Sequence, residues 1–383
     1  MTRVLLAMSD TGGGHRAISS AIRMAMSRLY GDTVDVTISD VFALGHKSLF
    51  DASTKLYTPL LRHAPWLYGW VYHLTDRPRL YSTLARQVEL MDAPKIRRLL
   101  ERTRPDVIVS VHSLSNRPLI KARAALGWDV PIIAVVTELV TVHQSWVDPR
   151  IDLYLTATPE TEAAVIGLGA DPKKVLRFGL PVDERFGRVK ARPADIRRSL
   201  GLDPDTLTAL LIGGGEGAGG IGRIVTAADR ARLNVQLIVV CGHNKTLKRR
   251  LEHRNLSIPT LVLGFVDSIP ELMHAADVIV TKGGPGSISE SLAAQRPVIL
   301  TAITPGQEEG NDQFVERYGV GFAPRTLHGV IEALRVLSAS PTSRDRLARN
   351  AARLSRPDSA AEVARAIIDF NGAWRGGGAA RRE

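Results

Sequence analysis

Apolar residues along this chain come in short runs, most of them continuous rather than alternating with polar ones. "VLLAM" (4–8), "VDVTIS" (34–39), "DVIVSV" (106–111), "PIIAVVT" (131–137) and "LYLTAT" (153–158) form one set. "ALLIGG" (209–214), "VQLIVVCG" (235–242), "TLVLGF" (260–265), "DVIVTKG" (277–283) and "PVILTAI" (297–303) form a second. Continuous, β-branched runs of this length predict strands buried on both faces of a parallel sheet. Between them, stretches such as "HRAISSAIRMAMSRLY" and "SISESLAAQ" repeat apolar residues at helical spacing. Strand–helix alternation predicts an α/β fold with right-handed crossovers.

A Pro-, Gly- and charge-rich stretch, "RFGLPVDERFGRVKARPADIRRSLGLDPD" (177–205), separates the two strand sets. It predicts a boundary near residue 186 and two similar α/β domains, 1–186 and 187–356, with a cleft between them. "DSAAEVARAIIDFNG" (358–372) reads as a last helix within 357–374, and the Gly/Arg-rich end, 375–383, as a frayed, disordered tail.

One segment breaks the alternation. Residues 45–90 hold no good parallel-sheet strand, yet carry two of the five tryptophans (Trp66, Trp70) and four of the seven tyrosines (Tyr57, Tyr68, Tyr72, Tyr81). Six Lys/Arg face three acids there. Aromatics interleaved with cations suit a membrane interface, where rings sit at headgroup level and cations meet anionic lipid. A helical insertion using its aromatics as core is the structural alternative.

Composition narrows the class. The 383 residues carry 50 Lys+Arg against 39 Asp+Glu, a net charge of +11 that favours an anionic partner. The excess is spread over both halves, without the dense basic stripe of a nucleic-acid binder. The single cysteine, Cys241, excludes a disulfide scaffold and fits a reducing cytosol. The apolar run at the N-terminus is too short for a signal peptide, and nothing approaches the roughly 20 apolar residues of a membrane span.

Three glycine clusters end predicted strands: Gly12-Gly13-Gly14 before His15, "GGGEGAGG" (213–220) and "TKGGPGSISE" (281–290). Glycines at such ends let backbone approach a ligand, and the following helix offers N–H groups and a positive dipole end to an anion. Gly215, Gly217 and Gly220 formally fit a dinucleotide fingerprint, but the next strand ends "VVCGHNK", without the ribose-binding acid. No Walker A, HExxH or CxxC motif occurs. Ser287 and Glu290 read as a capping box, and Glu290 also as a carboxylate able to accept ribose hydroxyls. In "TPGQEEGN" (304–311), Gln307 and Glu308 can hydrogen-bond sugar hydroxyls, with a plain polar loop as the alternative.

Taken in order along one chain, "MSDTGGGHRA", "VVTELVTVHQSW" (135–146), "FGLPV" (178–182), "GGGEGAGG" and "TKGGPGSISESLAAQRPVILTAITPGQEEGN" resemble the monogalactosyldiacylglycerol synthases and processive diacylglycerol glucosyltransferases of glycosyltransferase family 28. The peptidoglycan N-acetylglucosamine transferase is a more distant likeness. The resemblance implies a GT-B fold, two Rossmann-like domains with parallel sheets facing across a cleft. It implies a UDP-sugar in the C-terminal domain, a lipid acceptor in the N-terminal one, and inversion at the anomeric carbon with no obligatory metal or other cofactor.

The resemblance also assigns residues. Gly213, Gly214, Gly215, Glu216 and Gly217, with Lys282, Gly284, Pro285, Gly286 and Ser287, would hold the nucleotide and diphosphate. Glu290 would hold the ribose, and Gln307 and Glu308 the donor sugar. His15 would take the acceptor proton, with Asp10 the nearest acid to assist. Gly13, Gly14, Glu138, His143 and Trp146 would lie on the acceptor side, Trp146 able to face lipid, with Trp66 and Trp70 at the membrane.

Glu138 departs from the Asp common in that family, and His112-Ser113 from its His-Pro. The resulting expectation is an inverting hexosyltransferase moving glucose or galactose from UDP to diacylglycerol. It would be cytoplasmic and peripheral on an anionic inner membrane face, without a nucleic-acid partner. A UDP-N-acetylglucosamine 2-epimerase-like enzyme, another lipid acceptor, and a non-catalytic UDP-sugar binder are the alternatives.

Overall fold

A computed structural model of the chain describes residues 1–10, 13–43, 64–213 and 220–380. The chain forms two compact units, which divide between Asp183 and Glu184. Two later pieces, Thr304–Glu309 and the segment from Asp358 on, belong with the first unit.

The first unit is built on a six-stranded sheet of β1 (Thr2–Met8), β2 (Val34–Asp40), β3 (Val107–Ser110), β4 (Ile132–Val135), β5 (Leu153–Thr156) and β6 (Val175–Arg177). Every pairing is parallel and the order is β2-β1-β3-β4-β5-β6. Strands β3, β4 and β5 are buried at every position, which is why their runs are continuously apolar. Among the described residues up to Asp183, the helices accompanying them are α1 (Gly14–Tyr30), α2 (Pro65–Thr75), α3 (Pro78–Thr103), α4 (Asn116–Ala125) and α5 (Pro159–Gly167). Ile18, Ile22 and Met26 of α1 pack on one sheet face, and Ile96 and Leu100 of α3 with Leu119 of α4 pack on the other.

The second unit repeats the plan with β7 (Thr208–Ile212), β8 (Gln236–Val240), β9 (Thr260–Leu263), β10 (Val278–Thr281), β11 (Val298–Leu300) and β12 (Gly321–Phe322). Its parallel sheet runs β12-β11-β10-β7-β8-β9. The described helices here are α6 (Pro193–Ser199), α7 (Ile221–Arg230), α8 (Lys245–Glu252), α9 (Ile269–Ala275), α10 (Pro285–Ala293), α11 (Asn311–Arg317), α12 (Leu327–Ala339) and α13 (Pro341–Leu354). In each sheet the chain starts near the middle, builds outward one way, then returns and builds the other. The reversal lies between β1 and β3 in the first sheet and between β7 and β10 in the second. Ligands of open α/β sheets bind at such switch points, beyond the strands' C-terminal ends.

The last helix, α14 (Ser359–Ala380), packs Ala360, Val363, Ala364 and Ile367 into the same core as α1, and the Ser359 hydroxyl donates to the buried Leu180 carbonyl at 2.7 Å. The tail expected to fray from 375 is helical as far as Ala380. A helix already nucleated by a docked face propagates cheaply, and its end is tied down by Trp374, whose indole N–H donates to Asp129, and by the Arg375–Asp106 ion pair. Among the described residues, no helix is long and apolar enough to cross a membrane.

Candidate functional site

At the switch point of the first sheet, β1 runs into Gly13, whose φ of +78° is the left-handed conformation that a side chain resists. That turn starts α1 at Gly14 and makes His15 its second residue. Two strands, β3 and β4, then supply neighbours. His112, just past β3, lies edge-on to His15 with ring centroids 4.7 Å apart. Thr137, just past β4, brings its hydroxyl to 3.5 Å from His15 Nδ1. The His15 ring is also hydrogen-bonded to the Val111 carbonyl.

Burial pushes His15 down to about 4, against the opposing effect of that carbonyl. The positive end of α1 acts in the same direction as burial. His112 accepts the Leu114 N–H on Nδ1 at 3.3 Å, and burial together with the nearby His15 holds it well below the usual imidazole value. Both rings are therefore neutral at pH 7, and a neutral imidazole is a proton acceptor. Asp10 is not the partner of His15. Its carboxylate is held by Arg16 through two hydrogen bonds of 2.7 and 2.6 Å, which lower its pKa.

Next along the β4 exit is Glu138, only 6 % exposed. The Trp146 ring N–H donates to its carboxyl, while Oε2 has no hydrogen-bond partner. Burial, and then the charge of Glu308, push Glu138 up to about 8. Glu308 is itself buried, its Oε2 accepting the Thr304 N–H at 2.8 Å. Two carboxyls out of water near one another do not both ionise readily.

His143 is buried too. Its Nδ1 meets Ser145 Oγ at 2.8 Å, its Nε2 lies 3.6 Å from Asp76, and its ring packs 5.0 Å from that of Tyr72. Burial lowers its pKa while Asp76 opposes. These contacts make His143 a clasp between the 138–146 loop and α2. The expectation that Trp146 faces lipid does not hold: it is 2 % exposed, packed in the core beside β4 and β5, with its polar edge on Glu138. Trp66 and Trp70, one helical turn apart on α2, are 71 % and 59 % exposed.

At the switch point of the second sheet, β7 ends at Ile212 and is followed by Gly213, while Gly214, Gly215, Glu216 and Gly217 lie outside the described residues. The other side is formed by Lys282 and the start of α10, capped by Gly284 with Pro285 at its first turn. The capping box expected at Ser287 is absent. Pro285, with its φ preset for a helix, starts α10 earlier, so Ser287 falls inside the first turn and its carbonyl accepts the Ser291 hydroxyl at 2.7 Å. No side chain caps α10, so its first N–H groups, beside Gly286, have no capping side chain to accept from them, the arrangement to which anions bind at helix ends. Glu290 follows on the second turn. Among the described residues, no cluster of His, Cys, Asp and Glu is placed to hold a metal ion.

Sequence reasoning passed over His112 and Thr137 as partners of His15. Their signal was positional: each follows a strand adjacent to the glycine turn.

A family model described as monogalactosyldiacylglycerol (MGDG) synthase matches residues 15–182, and one described as glycosyltransferase family 28 C-terminal domain matches 208–360. The chloroplastic monogalactosyldiacylglycerol synthase of Spinacia oleracea is 32 % identical over 374 residues, covering 94 % of this chain and 71 % of that protein. Among solved structures, Acinetobacter baumannii MurG superposes with a TM-score of 0.64 at 14 % identity, over 96 % of this chain and all of MurG. Anabaena HepE in complex with UDP-glucose gives a TM-score of 0.56 at 16 % identity, over 97 % of this chain and all of HepE. The fold is accordingly GT-B.

Proposed function

Since this chain belongs to the monogalactosyldiacylglycerol synthase family of glycosyltransferases, we propose that it moves glucose or galactose from a UDP-sugar to the free hydroxyl of diacylglycerol, acting peripherally on the cytoplasmic face of an anionic membrane. The observation that carries this reading is His15, placed at the switch point of the first sheet by the Gly13 turn and kept neutral by desolvation. His15 takes the acceptor proton as that oxygen attacks the anomeric carbon. The bond from that carbon to the diphosphate breaks, and UDP departs with the electron pair. Attack opposite the departing group inverts the configuration. The N–H end of α10 offsets the charge arriving on UDP, as donors placed where charge develops do. Glu290 holds the ribose, and Gln307 and Glu308 hold the hexose.

Exposed Trp66 and Trp70 and the net charge of +11 support a lipid surface as the place of action. The test is UDP release from UDP-glucose and from UDP-galactose, with and without diacylglycerol in anionic vesicles, followed by detection of glycolipid. Lipid-dependent release with a new glycolipid is expected and names the sugar. Release of UDP without any glycolipid would contradict the reading.

A further inference from the structure

The segment Thr304–Glu309 follows β11 in sequence yet belongs with the first unit. Its seat there is α2. Tyr68 Oη donates to Gln307 Oε1 at 3.4 Å. His73 Nε2 lies 3.1 Å from Glu309 Oε1, the same oxygen that accepts the Gly306 N–H at 2.8 Å. Thr141, on the loop beyond β4, donates to the Glu309 carbonyl at 2.6 Å.

Two glycines make the approach close enough for this. A Cβ on Gly69 would stand 2.6 Å from Pro305 Cβ, and one on Gly306, at φ +80°, would stand 2.5 Å from Tyr72 Cγ. A proline ring has little freedom to yield, so a methyl on Gly69 displaces the segment. Helix α2 thus has two faces with different partners. Trp66 and Trp70 stand in solvent, while Tyr68, Gly69 and Tyr72 face the segment that carries Gln307 and Glu308.

We propose that Tyr68, Gly69 and Tyr72 of α2 are positioning residues for recognition of the donor's hexose, acting by fixing the place and the amide orientation of Gln307 and the place of Glu308. None of the three needs to touch the donor. This rests on the reading of Gln307 and Glu308 as hexose contacts. Because UDP alone lacks the hexose, the seat governs the affinity for UDP-hexose relative to that for UDP, and the preference between glucose and galactose, which differ in one hydroxyl.

The test is calorimetric binding of UDP, UDP-glucose and UDP-galactose to the full chain, with Tyr68→Phe and Gly69→Ala beside the wild type. Tyr68→Phe removes only the hydroxyl and keeps the ring, so it guards against a folding defect in Gly69→Ala. In both variants UDP should bind within about twofold of wild type. UDP-hexose binding should weaken by roughly 3- to 10-fold, as loss or misplacement of one hydrogen bond predicts. In turnover the donor KM should rise more than kcat falls, with the two sugars affected unequally. A ratio of UDP-hexose to UDP affinity unchanged in both variants overturns the seat alone. A wild type that binds UDP but neither UDP-hexose overturns the hexose-contact reading and the seat with it.

Discussion

The two switch points share a topology and differ in what stands on it. Beyond β1, β3 and β4 the first unit gathers titratable groups out of bulk water, half-buried His15 and His112 and buried Glu138, with the buried Glu308 side chain of its borrowed segment acting on Glu138. Beyond β7 and β10 the second unit offers mostly backbone: Gly213, Gly284 and the uncapped start of α10, with Lys282 and Glu290 close by. Burial shifts the imidazoles of the first set down and the Glu138 carboxyl up. Helix-end N–H groups do not titrate and bind an anion equally well across the pH range. On the proposed reading the same sheet order serves two tasks, proton transfer in one unit and retention of a diphosphate in the other.

Substitutions can break that comparison. The largest effect is expected from His15→Ala, which should slow transfer by roughly 10²- to 10⁴-fold, the range of a lost general base, while calorimetry finds UDP affinity within twofold of wild type. Loss of UDP affinity together with transfer would place nucleotide binding in the first unit as well. Glu138→Gln should act in the opposite sense on stability. A carboxyl held protonated to about 8 in the fold, but ionising near 4.5 when unfolded, makes the native state the better proton binder. Stability from this group is full below the unfolded pKa and is lost as pH rises toward 8. At pH 7 the glutamine variant should be more stable, by up to about 3 kcal/mol in denaturant unfolding. A variant no more stable than wild type would show that Glu138 is not held as the neutral acid. In the second unit, Glu290→Ala should weaken UDP binding by roughly tenfold, the cost of losing hydrogen bonds to a carboxylate, and should leave the pH dependence of transfer unmoved. A shifted profile would erase the distinction between the two regions.

What could be read from the sequence follows from how each element is held. Eight of the ten legible strands are buried along most of their length and show as apolar runs; β2, with no buried position, was legible from its β-branched alternation Val-Asp-Val-Thr-Ile-Ser, and β9, only partly buried, from its apolar run. The two missed strands are sheet edges. In β6, "VLR", only Val175 is buried and Leu176 is 42 % exposed; β12 is the dipeptide Gly321-Phe322. Edge strands this short leave no pattern. The glycine turn before His15 was legible because backbone conformation dictates residue type there. Its partners His112 and Thr137 were not, because they meet His15 only through strand adjacency, across 97 and 122 positions. Trp146 was misplaced for a related reason. An aromatic ring in an irregular loop carries no period to say which side it faces, and here it fills the core. The location of Thr304–Glu309 in the first unit is purely tertiary, decided by the bare backbone of Gly69 against Pro305.

The most direct measurement of the central claim, that a half-buried neutral histidine in the first unit accepts the proton, is the pH dependence of kcat/KM for transfer to diacylglycerol in vesicles. A base lowered to about 4 predicts that activity holds down through pH 6 and falls only as pH drops toward 4. An acid limb centred near the ordinary imidazole value of about 6.5 would contradict it, placing the base on a solvated histidine instead of His15.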